Sequence, residues 1–312
     1  MAQVVVIGEI LVEIMATRIG QTFLEPGLFA GPYPSGAPAI FADQAARVGA
    51  ETAMIGCVGP DDFGTLNLNR LAASGVGTKA IRRVPGTTTG SAFVTYRADG
   101  GRDFIFNIAN SASAALDASQ LEPALFTGCR WFHVMGSSLF SPEIAVAVRR
   151  GVELARADGA RISFDPNIRK ELLALPEVEA TIAAVLGVTD LLLPSDADLD
   201  HLCPGRDEAS ALESLLDAGR SMILLKKGAQ GSVYRDRERR IATSAFPADE
   251  VDPTGAGDCF GGTFVACLAQ GVPLERALRL ANAAGALAVG KKGPMEGNST
   301  MAELDAFLER HS

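Results

Sequence analysis

The sequence predicts a doubly wound α/β fold with a mostly parallel sheet, and a small β-sheet projecting from it. Two patterns point there. Short apolar runs that read as buried strands alternate with helix-period segments over most of the 312 residues, as successive βα units do. One stretch breaks that rhythm with a hairpin signal. The composition, 47% hydrophobic and 21% charged, is ample for a substantial buried core and allows one large domain or two.

Taken in order, residues 4–7, 54–58, 131–135, 161–164, 190–193 and 222–225 read as buried strands. Residues 39–48, 66–73, 142–157 and 274–289 carry helical spacing. Residues 91–97 and 102–107 are strand-like and are joined by Ala98-Asp99-Gly100-Gly101, a turn sequence. Residues 20–33 lack helical periodicity and can add to the same small sheet.

Several function classes are disfavoured. The net charge is −9 and there is no basic run, so neither a nucleic acid nor an anionic membrane is an expected partner. No apolar run reaches the roughly 18 residues of a membrane span. The N-terminus has no basic n-region and reads as a first strand. Five cysteines without Cys-x-x-Cys spacing suit a reduced, cytoplasmic protein without structural zinc. The three histidines are scattered, and no Gly-x-Ser-x-Gly elbow supports a hydrolase. Gly285-Ala286-Leu287-Ala288-Val289-Gly290-Lys291-Lys292 nearly spells a P-loop, but its interior is apolar and its last residue is lysine where a hydroxyl is needed to hold magnesium.

The most informative segment is Asp252-Pro253-Thr254-Gly255-Ala256-Gly257-Asp258-Cys259. A Gly-Ala-Gly turn brings backbone N–H groups close to an anion, and a helix starting there adds its positive end. Asp258 supplies a carboxylate in the first turn. Anion-holding amides beside a carboxylate suit phosphoryl transfer, in which charge on the phosphate is neutralised and a proton is taken from the attacking hydroxyl. An ordinary helix start with an acidic first turn fits the same residues. A dinucleotide fingerprint does not fit, because Phe260 stands where its third glycine belongs. Gly261 and Gly262 lower the helix propensity that follows, which suggests a close neighbour there.

With its flanks, Val251 to Asp258 resembles the signature of the PfkB (ribokinase-like) family of sugar kinases, and other stations of that family follow in order along the whole chain. Gly56-Cys57-Val58-Gly59-Pro60-Asp61-Asp62-Phe63-Gly64 is similar to its first signature and reads as structural. Asp165-Pro166-Asn167-Ile168-Arg169 is similar to an element of fructokinase-like and ketodeoxygluconate-kinase-like members. The resemblance implies a ribokinase-like α/β/α sandwich, a single kinase domain over residues 1–312, with a lid from approximately 16–34 and 88–112. It implies Asp258 as catalytic base, the amides of Gly255, Ala256 and Gly257 as anion hole, and Arg169 as a cation between sugar and phosphate. It also implies ATP and Mg2+. Lys226, Gly228 and Gly231 would lie beside the nucleotide and Asn282 near the adenine. Ser195 and Asp198 replace the family's Asn-x-x-Glu, Asp198 acting on magnesium through water. A helix N-cap explains Ser195 and Asp198 equally well. A homodimer through the lid is a further implication.

On the sugar side, Glu13 stands where many members have a hydroxyl-gripping Asp. Ser35-Gly36-Ala37-Pro38 keeps one glycine of the family's Gly-Gly-x-x-Asn and has Ile40 at the Asn position, so contacts there differ from the family's norm. No cation lies between Arg102 and Ser111, where ketodeoxygluconate kinases hold a substrate carboxylate. A buried carboxylate without a partner costs on the order of several kcal/mol. A neutral polyol or ketohexose is therefore expected, with Asn107 and Asn110 meeting its hydroxyls. The residues 8–15 and 34–38 look most like bacterial tagatose kinases. Arg97, Arg102 and Arg169 keep 2-keto-3-deoxygluconate open as a substrate. A nucleoside kinase is a third reading, and a non-catalytic sugar- or nucleotide-binding module is a reading of a different class.

Overall fold

All six apolar runs become neighbours in one large sheet. The computed structural model describes residues 1–99, 101–168 and 176–311. Its strands in chain order are β1 (Val4–Ile7), β2 (Leu11–Ile19), β3 (Phe29–Ser35), β4 (Thr52–Val58), β5 (Ile81–Arg83), β6 (Gly90–Tyr96), β7 (Arg102–Asn107), β8 (Trp131–Met135), β9 (Arg161–Asp165), β10 (Leu191–Leu192), β11 (Met222–Lys226), β12 (Ser232–Arg235) and β13 (Arg240–Thr243). Its helices are α1 (Ala37–Arg47), α2 (Asp62–Ala73), α3 (Pro142–Ala157), α4 (Pro176–Leu186), α5 (Asp196–Leu202), α6 (Glu208–Asp217), α7 (Ala256–Gln270), α8 (Leu274–Val289) and α9 (Met301–Arg310).

The large sheet runs β13-β12-β11-β10-β9-β8-β1-β4-β5. It is parallel except where β12 and β13 add antiparallel at one edge. Burial on both faces explains the continuous apolar strands. Within β1, Val4 and Val6 pack into one core with α1, α7, α8 and α9, while Val5 and Ile7 pack into the other with α3, α4 and α6. Strand order reverses between β1 and β8, where ligand crevices form in such folds. There the buried Glu9 carboxylate, just past β1, accepts hydrogen bonds from the hydroxyls of Ser137 and Ser138, just past β8.

The small sheet has the order β3-β2-β6-β7. It begins at Leu11, earlier than the expected 16–34 segment, because β2 runs almost directly out of β1. The expected hairpin forms as β6 and β7, with Tyr96 opposite Arg102. Asp61 caps α2 through the Gly64 amide at 2.8 Å and also accepts from the Thr89 hydroxyl at 2.7 Å, so the first signature ties a helix start to the approach of β6. Helix α7 meets α1 at its glycines: a Cβ on Gly262 would stand 2.6 Å from the Phe41 carbonyl oxygen. Among the described residues no helix is long and apolar enough to cross a membrane, and all five cysteines are buried and free of disulfides.

Candidate active site

The site gathers at the C-terminal ends of β9, β10 and β11, facing the start of α7. Gly255 caps that helix with φ 80°, a left-handed conformation that favours glycine. A Cβ there would also lie 2.3 Å from the Pro294 carbonyl oxygen. First-turn amides have no acceptor within their own helix; that of Gly257 is free to face an anion, while that of Ala256 makes only a long bond of 3.4 Å to the Pro253 carbonyl. Asp258 follows in the first turn, half-buried.

Lys226 ends β11 and brings a cation to this turn. A Cβ on Gly257 would lie 3.6 Å from its Nζ. The ammonium is ion-paired with Asp165, the last residue of β9, whose side chain is 1% exposed. Burial disfavours the Lys226 charge, but Asp165, Asp198 and Asp258 outweigh it and hold its pKa above the ordinary lysine value. Asn167, two residues on, has φ 36°, turning the chain so that the Ile168 amide donates to Asp198 at 2.8 Å.

Asp198 is a capping residue here. Its second oxygen accepts from the Ser195 amide at 2.8 Å and from the Ser195 hydroxyl at 2.6 Å, closing a capping box on α5. Among the described residues no three His, Cys, Asp or Glu side chains are placed to hold a metal ion together. Asp198 is an oxygen donor that could meet a hydrated Mg2+ through water. Arg169 lies outside the described residues.

A cavity of about 830 Å³ extends from this turn, and Ser195, Lys226, Ala256, Gly257 and Asn282 line it together with Gly228 and Gly231. The structure thus assembles the expected nucleotide residues around one space, within the size range of ligand sites. Gly231 has φ 99°, and a Cβ would lie 2.0 Å from the Thr243 carbonyl oxygen. Asn282 donates to the Ser232 hydroxyl at 2.9 Å and to the Leu278 carbonyl at 2.8 Å, which leaves its own carbonyl oxygen for a ligand. Phe246, Phe260 and Val289 add apolar wall; the first lies in a segment whose spacing carried no signal.

The inner face of the small sheet closes the other side. Glu13 lies opposite Ala92 in the pairing of β2 with β6 and is 7% exposed, and Ser35 donates to it at 2.8 Å. Gly36 has φ 109°, and a Cβ would lie 2.6 Å from the Glu9 carbonyl oxygen, so the chain entering α1 at Ala37 hugs β1. Ile40 packs on Gly255, at 3.3 Å from where a Cβ would be. Tyr96 is half-buried, and partial burial together with the charges of Asp252 and Glu13 pushes its phenol up. Arg102 donates to the Thr254 hydroxyl at 2.8 Å.

The structure does not bring Asn107 or Asn110 to this face. Side chains alternate along a strand, so Arg102, Phe104 and Phe106 point inward while Asp103, Ile105 and Asn107 point out. Asn107 is exposed and donates to Ser91 at 3.4 Å, and Asn110 is exposed in the turn that follows. Arg97 is tied to Asp99 and Asp103 at the hairpin tip. Sequence reading missed Asp165 and the inward role of Arg102; the period-two pattern of β7 held a signal for the second.

A glycine-capped helix start, a lysine beside it, a carboxylate in its first turn and a large adjoining cavity define a nucleotide-dependent phosphotransferase. The chain matches the description pfkB family carbohydrate kinase over residues 1–301, and it belongs to that family. It is 33% identical to fructokinase-1 of Oryza sativa subsp. japonica, over 98% of this chain and 97% of that one. A protein of E. coli assigned as a ribokinase II, solved in complex with ATP and Mg2+, is 48% identical with a TM-score of 0.95 over 100% of both chains. A fructokinase of Vibrio cholerae O395, solved with fructose, ADP and calcium bound, is 27% identical with a TM-score of 0.87 over 99% of both chains. The protein is thus a phosphotransferase with an alcohol group as acceptor.

Proposed function

We propose that the protein transfers the γ-phosphoryl group of ATP to the primary hydroxyl of a neutral ketohexose of the fructose or tagatose kind. The observation that carries the sugar class is the buried Glu13 carboxylate, braced by Ser35 on the inner face of the small sheet. A fixed anion there grips hydroxyl groups and repels a substrate carboxylate. Arg97 is neutralised at the hairpin tip, and Arg102 sits on the nucleotide side of the anion turn, so neither serves an acidic sugar. The fructokinase relatives support the same reading.

In this mechanism the small sheet acts as a lid over the sugar and keeps water from the reacting phosphate. Asp258 accepts the hydroxyl proton. The freed oxygen forms the new O–P bond as the bond from phosphorus to the β,γ-bridging oxygen breaks, its electron pair leaving on ADP. The amides of Ala256 and Gly257, with Lys226 beside them, meet the negative charge on the transferring group. Mg2+ carried on the nucleotide would neutralise phosphate charge when bound.

The test is sugar-dependent ADP release with Mg·ATP over D-fructose, D-tagatose, 2-keto-3-deoxygluconate, D-ribose and adenosine. A neutral ketohexose is expected to give the highest kcat/KM. Glu13→Gln should raise the KM for that sugar by roughly 10- to 100-fold, the worth of a hydrogen bond to a charged group, with ADP affinity unchanged. Preference for the keto acid would reject the neutral-sugar reading.

We further propose that the outer face of the small sheet seats a second copy of the chain. Ile14, Phe93 and Ile105 form a row across paired strands, and Ile105 is 46% exposed. Leu24 and Leu28, between β2 and β3, are also exposed. Such an apolar row on a sheet invites a partner. Sedimentation should show a dimer that Ile105→Asp dissociates without unfolding; a monomeric wild type rejects this.

A further inference from the structure

We propose that Asn298, in the segment between α8 and α9, is a positioning residue for the reaction: it sets the roll of α7 and with it the place of the Asp258 carboxylate. The proposal rests on Asp258 as the general base and not on the identity of the sugar. Helix α7 meets its neighbours at Gly255, Cys259, Gly262 and Thr263, the i, i+4, i+7, i+8 spacing of one helix face. Gly255 is pressed between the Pro294 carbonyl and Ile40, and Gly262 lies against the Phe41 carbonyl. The other two make side-chain hydrogen bonds. The Cys259 thiol donates to Oδ1 of Asn298 at 2.9 Å, and the Thr263 hydroxyl accepts from Gln44 at 3.0 Å. Burial, with the charges of Asp258 and Asp43, pushes the Cys259 thiol well above its ordinary value, so the sulfur keeps its proton and remains a donor.

Asn298 is itself firmly held. Its Nδ2 donates to Asp43 at 2.7 Å and to the Ile40 carbonyl at 3.3 Å. Asp43, on α1, is 0% exposed. It accepts a two-pronged pair from Arg70 of α2 at 2.9 and 3.2 Å, and the Ser74 hydroxyl at 2.6 Å. Arg70 reaches on to the Met295 carbonyl at 2.7 Å, and the Ser299 amide donates to Gln44 at 2.8 Å. A polar seam thus joins α1, α2, α7 and residues 295–299 within an apolar core. Buried ionic networks are poor stabilisers beside apolar packing, but they are directional. Apolar contacts tolerate some roll of a helix, whereas a hydrogen bond weakens as its angle closes. Asp258 directly precedes Cys259, so any roll at Cys259 swings the carboxylate across the anion turn. Ile40, whose carbonyl Asn298 holds, is also the residue packed on Gly255. The turn and the base are therefore fixed from one point.

A seam that only supports the fold and one that places the base predict different kinetics, read well below Tm with Mg·ATP and the panel sugar of highest turnover. Asn298→Leu removes donor and acceptor at similar size. It should lower kcat by about 10- to 100-fold, as a misplacement of about 1 Å does, with the KM for ATP and sugar changing only a few-fold. Cys259→Ala should lower kcat by about 2- to 10-fold, the worth of one hydrogen bond between neutral groups. Cys259→Ser restores a donor and should recover the loss. This second pair of variants serves if Asn298→Leu fails to fold. The deciding measurement places Asn298→Leu in an Asp258→Asn background, where no base is left to misplace and the further loss should nearly vanish. An equal loss in both backgrounds would overturn the proposal and leave a seam that serves the fold, with Asp258 still the base. So would an unchanged kcat in Asn298→Leu or, should that variant not fold, in Cys259→Ala. Wild-type-like turnover of Asp258→Asn would instead sink the general-base reading, and this proposal with it.

Discussion

Asp258→Asn is expected to lower kcat by about 10²- to 10⁴-fold, the usual worth of a positioned general base, with the KM for ATP and sugar changing only a few-fold. Asparagine preserves size and hydrogen bonding but cannot take the hydroxyl proton. The carboxylate sits in the first turn of α7, next to the amides proposed to meet the phosphate, so that the proposed base and anion site are held by one rigid element. Removing the base leaves that anion site intact, and residual turnover should survive from positioning and charge neutralisation alone. Single-turnover measurements with saturating sugar check this directly. Near-wild-type turnover would remove Asp258 from the reaction. Wild-type protein that binds ATP yet phosphorylates none of the panel would move the weight to a non-catalytic module.

The large sheet was legible because its strands are buried on both faces and so read as uninterrupted apolar runs. Strand β2 was not, for a physical reason. Its inward positions are Leu11, Glu13 and Met15, so a charge stands at a buried place and breaks the apolar code. A strand that buries a carboxylate on its inner face loses the pattern by which strands are recognised. Helix α1 starts at Ala37 rather than Ala39 because Pro38 is compatible with a first helical turn. Strands β12 and β13 are only four residues each, too short for periodicity to register.

The same division holds at the site. Gly255, Ala256, Gly257 and Asp258 are adjacent in sequence, and their shared chemistry is visible there. The pairing of Lys226 with Asp165 spans 61 positions, and that of Arg102 with Thr254 spans 152; composition and spacing carry no trace of either. Ser195 and Asp198 illustrate the opposite problem. One short motif serves equally for a helix cap and for a metal approach, and the geometry shows the cap to be present.

The Asp165–Lys226 pair should give the activity its pH signature. Lys226 is held above the ordinary lysine value of 10.5 by its carboxylate neighbours. A raised basic group contributes stability that is complete below its unfolded value and is lost only as pH climbs through the folded one. The wild-type cation is therefore intact across neutral and mildly alkaline conditions. In Asp165→Asn the nearest counter-charge is gone, and burial, which favours the neutral amine, gains ground. Asp198 and Asp258 remain, so the lysine is weakened rather than abolished as a cation. Asp165→Asn is expected to show kcat falling with an alkaline limb below that of wild type, and a lower Tm, since opening a buried pair costs about 3–5 kcal/mol. Lys226→Met should be slow at every pH, because the charge beside Gly257 is absent throughout. The contrast between the two variants isolates the electrostatic role from the packing role. If Asp165→Asn kept a kcat profile superimposable on wild type up to about pH 10, near the ordinary lysine range, Asp165 would be holding the fold of β9 and not the charge at the phosphate.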